Sequence, residues 1–249
     1  KQNDKLDNPS IHMRFVGAPG TGKTTVARIV GKIFKEKGIL SKGGFFEYEA
    51  SALIGEYIGQ TAPKARNICR DAYGSVLFLD EAYALNDGEN RNGYGKEAIT
   101  TLIAEMENHR DDMVIIMAGY PDEMNKLMDV NPGLRSRMPF VLEFKNYDRK
   151  QLAELFMNMA KGAFDVEPDL EPAVREYMNG LSDEFLSSKD FANARFVRNL
   201  YERTWSKAAY RASGEGLTDI KLRKSDFESA SQEKEFGERI AKKVNRVGF

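Results

Sequence analysis

The chain has 249 residues, 41% of them hydrophobic, and its 37 basic and 38 acidic side chains nearly cancel, so charge gives no reason to expect nucleic acid or an anionic membrane as a partner. Its single cysteine excludes an internal disulfide, and the sequence shows neither a secretory signal nor an apolar run near the roughly 20 residues of a membrane span. We therefore expect a cytoplasmic protein of one large or two modest domains, and the start at Lys1 rather than at Met is compatible with a piece of a longer protein.

Strands and helices alternate in the predicted structure up to about Asn146. Strands are predicted at Ile11–Val16, Phe45–Glu49, Val76–Leu79, Met113–Ala118 and Phe140–Phe144. Helices are predicted at Lys23–Lys37, at Ala62–Ala72 and around Ala98–Met106, where apolar residues recur at helical spacing. Fully apolar runs such as Val76–Leu79 suit parallel strands buried on both faces. The alternation predicts an α/β domain with a parallel sheet.

After Asn146 the strand patterns stop and helical stripes take over, as at Leu152, Leu155 and Phe156. We therefore predict two domains, an α/β domain over residues 1–147 and a small all-α domain over residues 148–249. The last stretch, Gln232–Phe249, is dense in charge. Its pattern leaves open a helix, a frayed tail or the start of a further segment.

A glycine-rich stretch between the first strand and the first helix matches the pattern G-x-x-x-x-G-K-[ST] at every fixed position. In such a loop, backbone N–H groups point at phosphate oxygens, the lysine (Lys23) reaches the β- and γ-phosphates, and the hydroxyl of Thr24 holds Mg²⁺. The alternative is a glycine-rich turn that only mimics the loop. We assign the binding of a nucleoside triphosphate to Gly17, Ala18, Pro19, Gly20, Thr21, Gly22, Lys23, Thr24 and Thr25.

Two acids, Asp80 and Glu81, directly follow the apolar run Val76–Leu79. The end of a parallel strand lies at the sheet edge where α/β folds bind ligands. Asp80 can coordinate Mg²⁺ there, and Glu81 can polarise the water that attacks the γ-phosphate. The alternative is an ordinary polar strand end. Combined with the glycine-rich loop, the pair favours nucleotide hydrolysis.

Several scattered stretches together resemble one family. They are His12–Arg28, Gly55–Lys64, Leu77–Leu85, Gly95–Met106, Ala118–Tyr120, Asn131–Arg137 and Phe191–Asn199. The chain resembles an AAA+ ATPase and, within that group, the family of the red-type rubisco activase CbbX and stage V sporulation protein K. The resemblance implies a three-layer αβα P-loop domain with a five-stranded parallel sheet, a small helical lid, ATP and Mg²⁺ as cofactors, and self-association into a ring, commonly a hexamer.

The resemblance also implies loops that grip a polypeptide in the pore of such a ring. Tyr57, Ile58 and Gly59 match the aromatic–aliphatic–glycine loop that lines the pore. The alternative is a surface turn with one exposed tyrosine. Asn86–Gly95 matches the position of a second pore loop, and its small polar residues suit a mobile segment.

Further residues match family positions that sense or complete the ATP site. Asn131–Arg137 corresponds to the segment with the arginine finger, for which Arg137 is favoured over Arg135. The alternative is a loop with two solvated arginines. Arg195 matches the lid arginine called sensor 2, and Tyr120 lies closest to the sensor 1 position, where most AAA+ proteins have a smaller polar residue.

These features favour an ATP-hydrolysing ring motor that remodels a protein client. A nucleotide-gated binding module with little turnover is the second hypothesis, prompted by Tyr120. A nucleic-acid motor is the third, and the neutral charge balance and the lack of basic residues at Tyr57–Gly59 argue against it.

Overall fold

The structure, a computed structural model, describes residues 10–86 and 93–240. By their internal contacts these residues form two compact units. The first runs through Gly17 and resumes at Gly22–Phe144, whereas the second combines the short stretch Ala18–Thr21 with the chain from Lys145 onward. The glycine-rich loop therefore belongs to the second unit at its tip and to the first unit at its two ends.

The first unit contains a five-stranded parallel sheet in the order β2-β3-β4-β1-β5. Its strands are β1 (Met13–Gly17), β2 (Phe45–Glu49), β3 (Val76–Asp80), β4 (Val114–Gly119) and β5 (Phe140–Phe144). The bounds of β2 and β5 are those predicted from the sequence, and the other three strands differ from the prediction by one or two residues at one end or at both. The predicted α/β fold is confirmed.

Helices cover both faces of this sheet. They are α1 (Lys23–Glu36), α2 (Thr61–Asp71), α3 (Tyr94–Asn108), α4 (Pro121–Val130) and α5 (Pro132–Arg137). Alternate residues of β3 point to opposite faces, so Phe78 packs in a core with Ala27 of α1, while Leu79 packs in the core that holds Leu102 of α3. The result is a three-layer αβα arrangement, because each face of the sheet has its own apolar core.

His12, one of the two histidines, is buried and connects three elements of this unit by hydrogen bonds. The N–H of Ile115 donates to its Nδ1 at 2.9 Å, so Nδ1 carries no proton and Nε2–H donates to the carbonyl of Met106 at 3.3 Å. Its side chain therefore links the start of β1 to β4 and to the end of α3. Burial lowers the pKa of His12 to about 4.

The second unit is mainly helical. Its helices are α6 (Arg149–Ala163), α7 (Leu170–Gly180), α8 (Asp183–Ser187), α9 (Ala194–Gly214), α10 (Lys224–Ser231) and α11 (Lys234–Gly237). Its core is rich in aromatic rings packed edge to face, such as Phe156 against Phe227 with centroids 5.2 Å apart. A capping box of Asp148 and Gln151 begins α6.

Two short parallel strands, β6 (Asp165–Val166) and β7 (Lys221–Leu222), also occur in the second unit. The sequence pattern predicted no strands after Asn146, and that prediction was wrong at these two places because a two-residue strand shows no alternation. In the charged last stretch, α11 and a bridge between Ile240 and Leu181 are present, and residues from 241 lie outside the described part. Within residues 10–86 and 93–240, no helix combines the length and apolar character needed to cross a membrane.

Candidate nucleotide-binding site

The glycine-rich loop, residues 17–24 and hereafter the phosphate loop, has a hydrogen-bond donor on each carbonyl from Gly17 to Gly22. The pairs are Lys23 Nζ to Gly17 O (2.8 Å), Thr21 Oγ1 to Ala18 O (2.8 Å), Asn193 Nδ2 to Pro19 O (3.2 Å), Ala194 N to Gly20 O (3.1 Å), Tyr147 Oη to Thr21 O (3.3 Å) and Val26 N to Gly22 O (3.0 Å). These hydrogen bonds to successive carbonyls restrict the backbone conformation of the loop.

The phosphate loop leads directly into α1, which begins at Lys23. Gly22 precedes the helix in a left-handed conformation with φ of 95°, which a residue with a Cβ adopts only at a cost, and no side chain caps the helix. The N-terminal N–H groups of a 14-residue helix thus point toward the loop, an arrangement that attracts anions. Thr24 is half-buried in the first turn, and Thr25 is exposed.

Three neighbouring strands bring several predicted residues of the first unit to one edge of the sheet. β1, β4 and β3 are parallel neighbours, so their last residues, Gly17, Gly119 and Asp80, lie at the same edge. The start of the phosphate loop, the two acids and Tyr120 are therefore brought together. The hydroxyl of Thr24 and the carboxylate of Asp80 are the oxygen donors that Mg²⁺ prefers, so these residues suit that ion.

Glu81 has an unusual backbone. Its φ of 51° and ψ of 40° put it in the left-handed region, which costs a residue with a side chain roughly 1–2 kcal/mol. Its N–H donates to the Asp80 carboxylate at 2.9 Å, and its own side chain is exposed. Strain of this kind concentrates at functional sites. Here it turns the chain sharply at the strand end, so the carboxylate projects from the sheet edge into solvent.

Tyr120 and Tyr83 lie beside these acids. Tyr120 precedes α4 and is 39% exposed, and its ring packs against that of Tyr83 with centroids 6.0 Å apart. Burial raises the pKa of Tyr83, and the negative charge of Glu81 raises it further. Sequence reasoning missed Tyr83, although its position two residues after Glu81 was a usable signal.

Arg135 and Arg137 lie in α5 and are both ion-paired within the first unit. Arg137 pairs with Glu107 through Nη2 at 3.0 Å and donates from Nη1 to Gly133 O at 3.2 Å, while Arg135 pairs with Asp129. The hydroxyl of Ser10 donates to the carbonyl of Arg137 at 2.5 Å. Since Ser10 precedes β1, Arg137 lies near the opposite edge of the sheet from the phosphate loop, at least ~13 Å away along the strand.

Tyr57, Ile58 and Gly59 form an exposed turn between β2 and α2. Tyr57 is 67% and Ile58 88% exposed, and Gly59 has a φ of 83°. The Gln60 N–H donates to the Tyr57 carbonyl at 3.2 Å, which closes the turn. Most of the second predicted pore loop, at residues 87–92, lies outside the described part of the chain.

In the second unit, Arg195 lies in the first turn of α9 and is exposed. Its N–H donates to the Ala192 carbonyl at 2.9 Å. Its neighbour Asn193 is fully buried and bonds to the phosphate loop. Sequence patterns indicated no role for Asn193, because its hydrogen-bond partners are 174, 47 and 46 residues distant in sequence.

Two family models match the chain. The model of the ATPase family associated with various cellular activities (AAA) matches residues 13–146, and the AAA lid domain model matches residues 148–237. The crystal structure of the FIGL-1 AAA domain in complex with ADP is similar with a TM-score of 0.62, and the match covers 90% of this chain and 72% of that one. At 18% sequence identity, that likeness concerns the fold alone.

Curated relatives are similar over most of the chain. Stage V sporulation protein K of Bacillus subtilis is 41% identical over 85% of this chain and 65% of its own length. Protein CbbX of Cereibacter sphaeroides is 41% identical over 82% of this chain and 65% of its own length. The chloroplastic ribulose bisphosphate carboxylase/oxygenase activase of Cyanidioschyzon merolae is 40% identical over 86% of this chain and 73% of its own length. The chain thus spans about 65% of the length of the first two relatives.

Proposed function

Because the chain belongs to the AAA family of ATPases, whose family model matches residues 13–146, we propose that it is an ATP-hydrolysing ring motor that remodels a protein client. The observation that carries the proposal is the meeting of the phosphate loop with Asp80 and Glu81 at one edge of the sheet. We further propose a nucleotide-binding domain at residues 1–147, a lid at 148–249, and action in the cytoplasm.

In the proposed site, the N–H groups of the phosphate loop and the ammonium of Lys23 bind the β- and γ-phosphates. Thr24 and Asp80 would hold Mg²⁺, which when bound neutralises part of the phosphate charge. Glu81 accepts a proton from the water that attacks the γ-phosphate. Its exposure leaves room for that water. Tyr120, next to Tyr83, serves as the sensor 1 residue that contacts the γ-phosphate. Arg195 serves as sensor 2, the lid residue that responds to hydrolysis of the same phosphate.

Arg137 acts on the ATP of a neighbouring subunit in this proposal. Its place near the far edge of the sheet supports this, because the length of β1 separates it from its own phosphate loop. The ion pair with Glu107 at 3.0 Å keeps its guanidinium in a defined orientation on the surface. Arg135, which pairs with Asp129, is the alternative finger.

The client is a protein, gripped by Tyr57 and Ile58. The turn exposes two large side chains side by side, where a partner chain can reach them. Such a turn can press on an extended chain without reading its sequence. One relative is named as an activase of ribulose bisphosphate carboxylase/oxygenase, so that enzyme is one candidate client for a first assay.

A second function is a nucleotide-gated binding module with weak turnover. It is favoured by the bulky phenol of Tyr120 at the position expected to contact the γ-phosphate. Such a module would bind ATP with the same loop and change partner affinity without repeated hydrolysis.

Three variants test ATP binding and hydrolysis separately. Lys23→Ala should nearly abolish ATP binding, and Glu81→Gln should bind ATP but hydrolyse it at least ~10²-fold more slowly. The matched control is Glu123→Gln, because Glu123 is an acid in α4 that pairs with Lys126 at the surface. Unchanged turnover in Glu81→Gln would contradict the assignment of the base. Normal ATP binding with negligible turnover in the unaltered protein would favour the binding module.

A further inference from the structure

Asn193 is held in a conformation that asparagine rarely adopts. Its φ of 50° and ψ of −120° lie in a region used mostly by glycine, and its side chain is fully buried. Such a conformation costs of order 1–3 kcal/mol and persists only where the surrounding structure enforces it. The position immediately precedes α9, where asparagine is normally a favoured helix cap, yet its side chain makes no capping bond.

The side chain of Asn193 instead uses all of its polar groups toward other partners. Its Oδ1 accepts the N–H of Tyr147 at 2.9 Å, which leaves Nδ2 to donate to the carbonyl of Pro19 at 3.2 Å and to Oδ1 of Asn146 at 3.0 Å. The orientation of the amide is therefore defined, because a backbone N–H must meet its oxygen. All of these residues belong to the second unit.

The neighbours of Asn193 hold the next two carbonyls of the phosphate loop. The N–H of Ala194 donates to Gly20 O at 3.1 Å. Tyr147 donates its N–H to Asn193 and its hydroxyl to Thr21 O at 3.3 Å. Three consecutive carbonyls, from Pro19 to Thr21, thus accept hydrogen bonds from Asn193 and from two residues in direct contact with it. A Cβ on Gly20 would lie 2.1 Å from the Ala192 carbonyl, so this close approach requires glycine.

In a planar trans peptide, the N–H points opposite to the C=O of the same peptide. When the carbonyls of Pro19, Gly20 and Thr21 are bound on one side, the N–H groups of Gly20, Thr21 and Gly22 point to the other side, away from Asn193. Preorganised N–H groups bind phosphate better because no ordering is required on binding. We propose that Asn193 is a positioning residue that presents these N–H groups to the nucleotide phosphates. This inference rests on the proposed role of the phosphate loop.

Two substitutions separate the hydrogen bonds from the backbone conformation. Asn193→Gly suits the positive φ but removes the amide, whereas Asn193→Asp keeps the size and the acceptor but removes both donors. Both should weaken binding of a fluorescent ATP analogue with Mg²⁺ by about tenfold, the effect of losing one or two hydrogen bonds. Without nucleotide, the NMR order parameters of the backbone amides of Gly20, Thr21 and Gly22 should also fall in both variants, because the loop loses bonds that order it.

The matched control is Ser188→Ala, which removes a 2.8 Å bond from the hydroxyl to the Phe185 carbonyl elsewhere in the second unit. It should lower Tm without changing the affinity or the order parameters at Gly20, Thr21 and Gly22. Unchanged affinity and order parameters in a folded Asn193→Asp or Asn193→Gly protein would overturn the inference alone. Failure of the unaltered protein to bind the analogue would overturn the proposed function as well. Should both variants unfold, Tyr147→Phe, which removes one bond to the loop, must lower the order parameters of Thr21 and Gly22 or the inference fails.

Discussion

Lowering the pH should destabilise the first unit, because the folded unit keeps the buried imidazole of His12 neutral whereas the unfolded chain lets it take up a proton. The ordinary pKa of histidine, 6.5, applies in the unfolded chain, and burial lowers it to about 4 in the folded one. Arg137 also lowers the pKa, whereas the bond to Met106 and the charge of Glu107 raise it. Protonating Nδ1 would also break the hydrogen bond from Ile115. As the pH falls below 6.5, the unfolded state therefore takes up the proton first, and stability declines until about pH 4.

The magnitude follows from the two pKa values of His12. A folded pKa of about 4 against 6.5 corresponds to about 3 kcal/mol over the full range, of which about 2 kcal/mol is lost between pH 7.5 and pH 5. His12→Asn removes the titration and keeps an acceptor near the position of Nδ1. The variant will be less stable at every pH, because it leaves a small cavity, so the comparison concerns the change with pH in each protein.

Urea unfolding at pH 7.5 and pH 5 measures this difference. Circular dichroism follows both units, whereas fluorescence of Trp205, the chain's only tryptophan, follows the second unit and serves as an internal control. Between the two pH values, the first unit should lose about 2 kcal/mol more in the unaltered protein than in His12→Asn. The Trp205 transition should respond equally in both. An equal loss of the first unit in both proteins would refute the reasoning.

Three shorter predictions concern other residues. Glu81→Gly should be about 1 kcal/mol more stable to urea than Glu81→Ala, because only glycine adopts the left-handed conformation without strain; equal stability would contradict that strain. Tyr57→Ala should retain ATPase activity but lose client remodelling, and retained remodelling would exclude this turn as the grip. Gly17→Ala should lower the unfolding free energy of the first unit by about 2 kcal/mol, since its Cβ would lie 2.4 Å from the Phe144 carbonyl, and an unchanged Tm would show that β5 can move aside.

Local patterns were sufficient for the elements that position the site. The apolar run at Val76–Leu79 predicted β3, because a strand buried on both faces needs no alternation. The glycines and Lys23 predicted the junction between β1 and α1, since this pattern is typical of a loop that connects a strand to a helix. The sequence pattern did not predict the helix α5, because Pro132 and Gly133 are typical of turns, although proline is also common in the first turn of a helix.

Features that depend on distant partners could not be predicted. His12 was only part of a matching stretch, since its two hydrogen-bond partners lie 94 and 103 residues further along the chain. Asn193 was also only part of a matching stretch, since its hydrogen-bond partners lie 46 to 174 residues away in the chain. The left-handed backbone of Glu81 was also unpredictable, because glutamate rarely adopts it and tertiary structure must enforce it.

Mixing two inactive variants tests most directly the central claim, that ATP is hydrolysed by Glu81 of one subunit with Arg137 of its neighbour. Arg137→Ala removes the finger and Glu81→Gln removes the base, so each protein alone should have little ATPase activity. In mixed rings, a Glu81 from the first variant can meet an Arg137 from the second at the same interface. The account predicts ATPase activity in the mixture well above that of either variant alone. Mixed rings that demonstrably form yet hydrolyse no more ATP than the separate variants would contradict it.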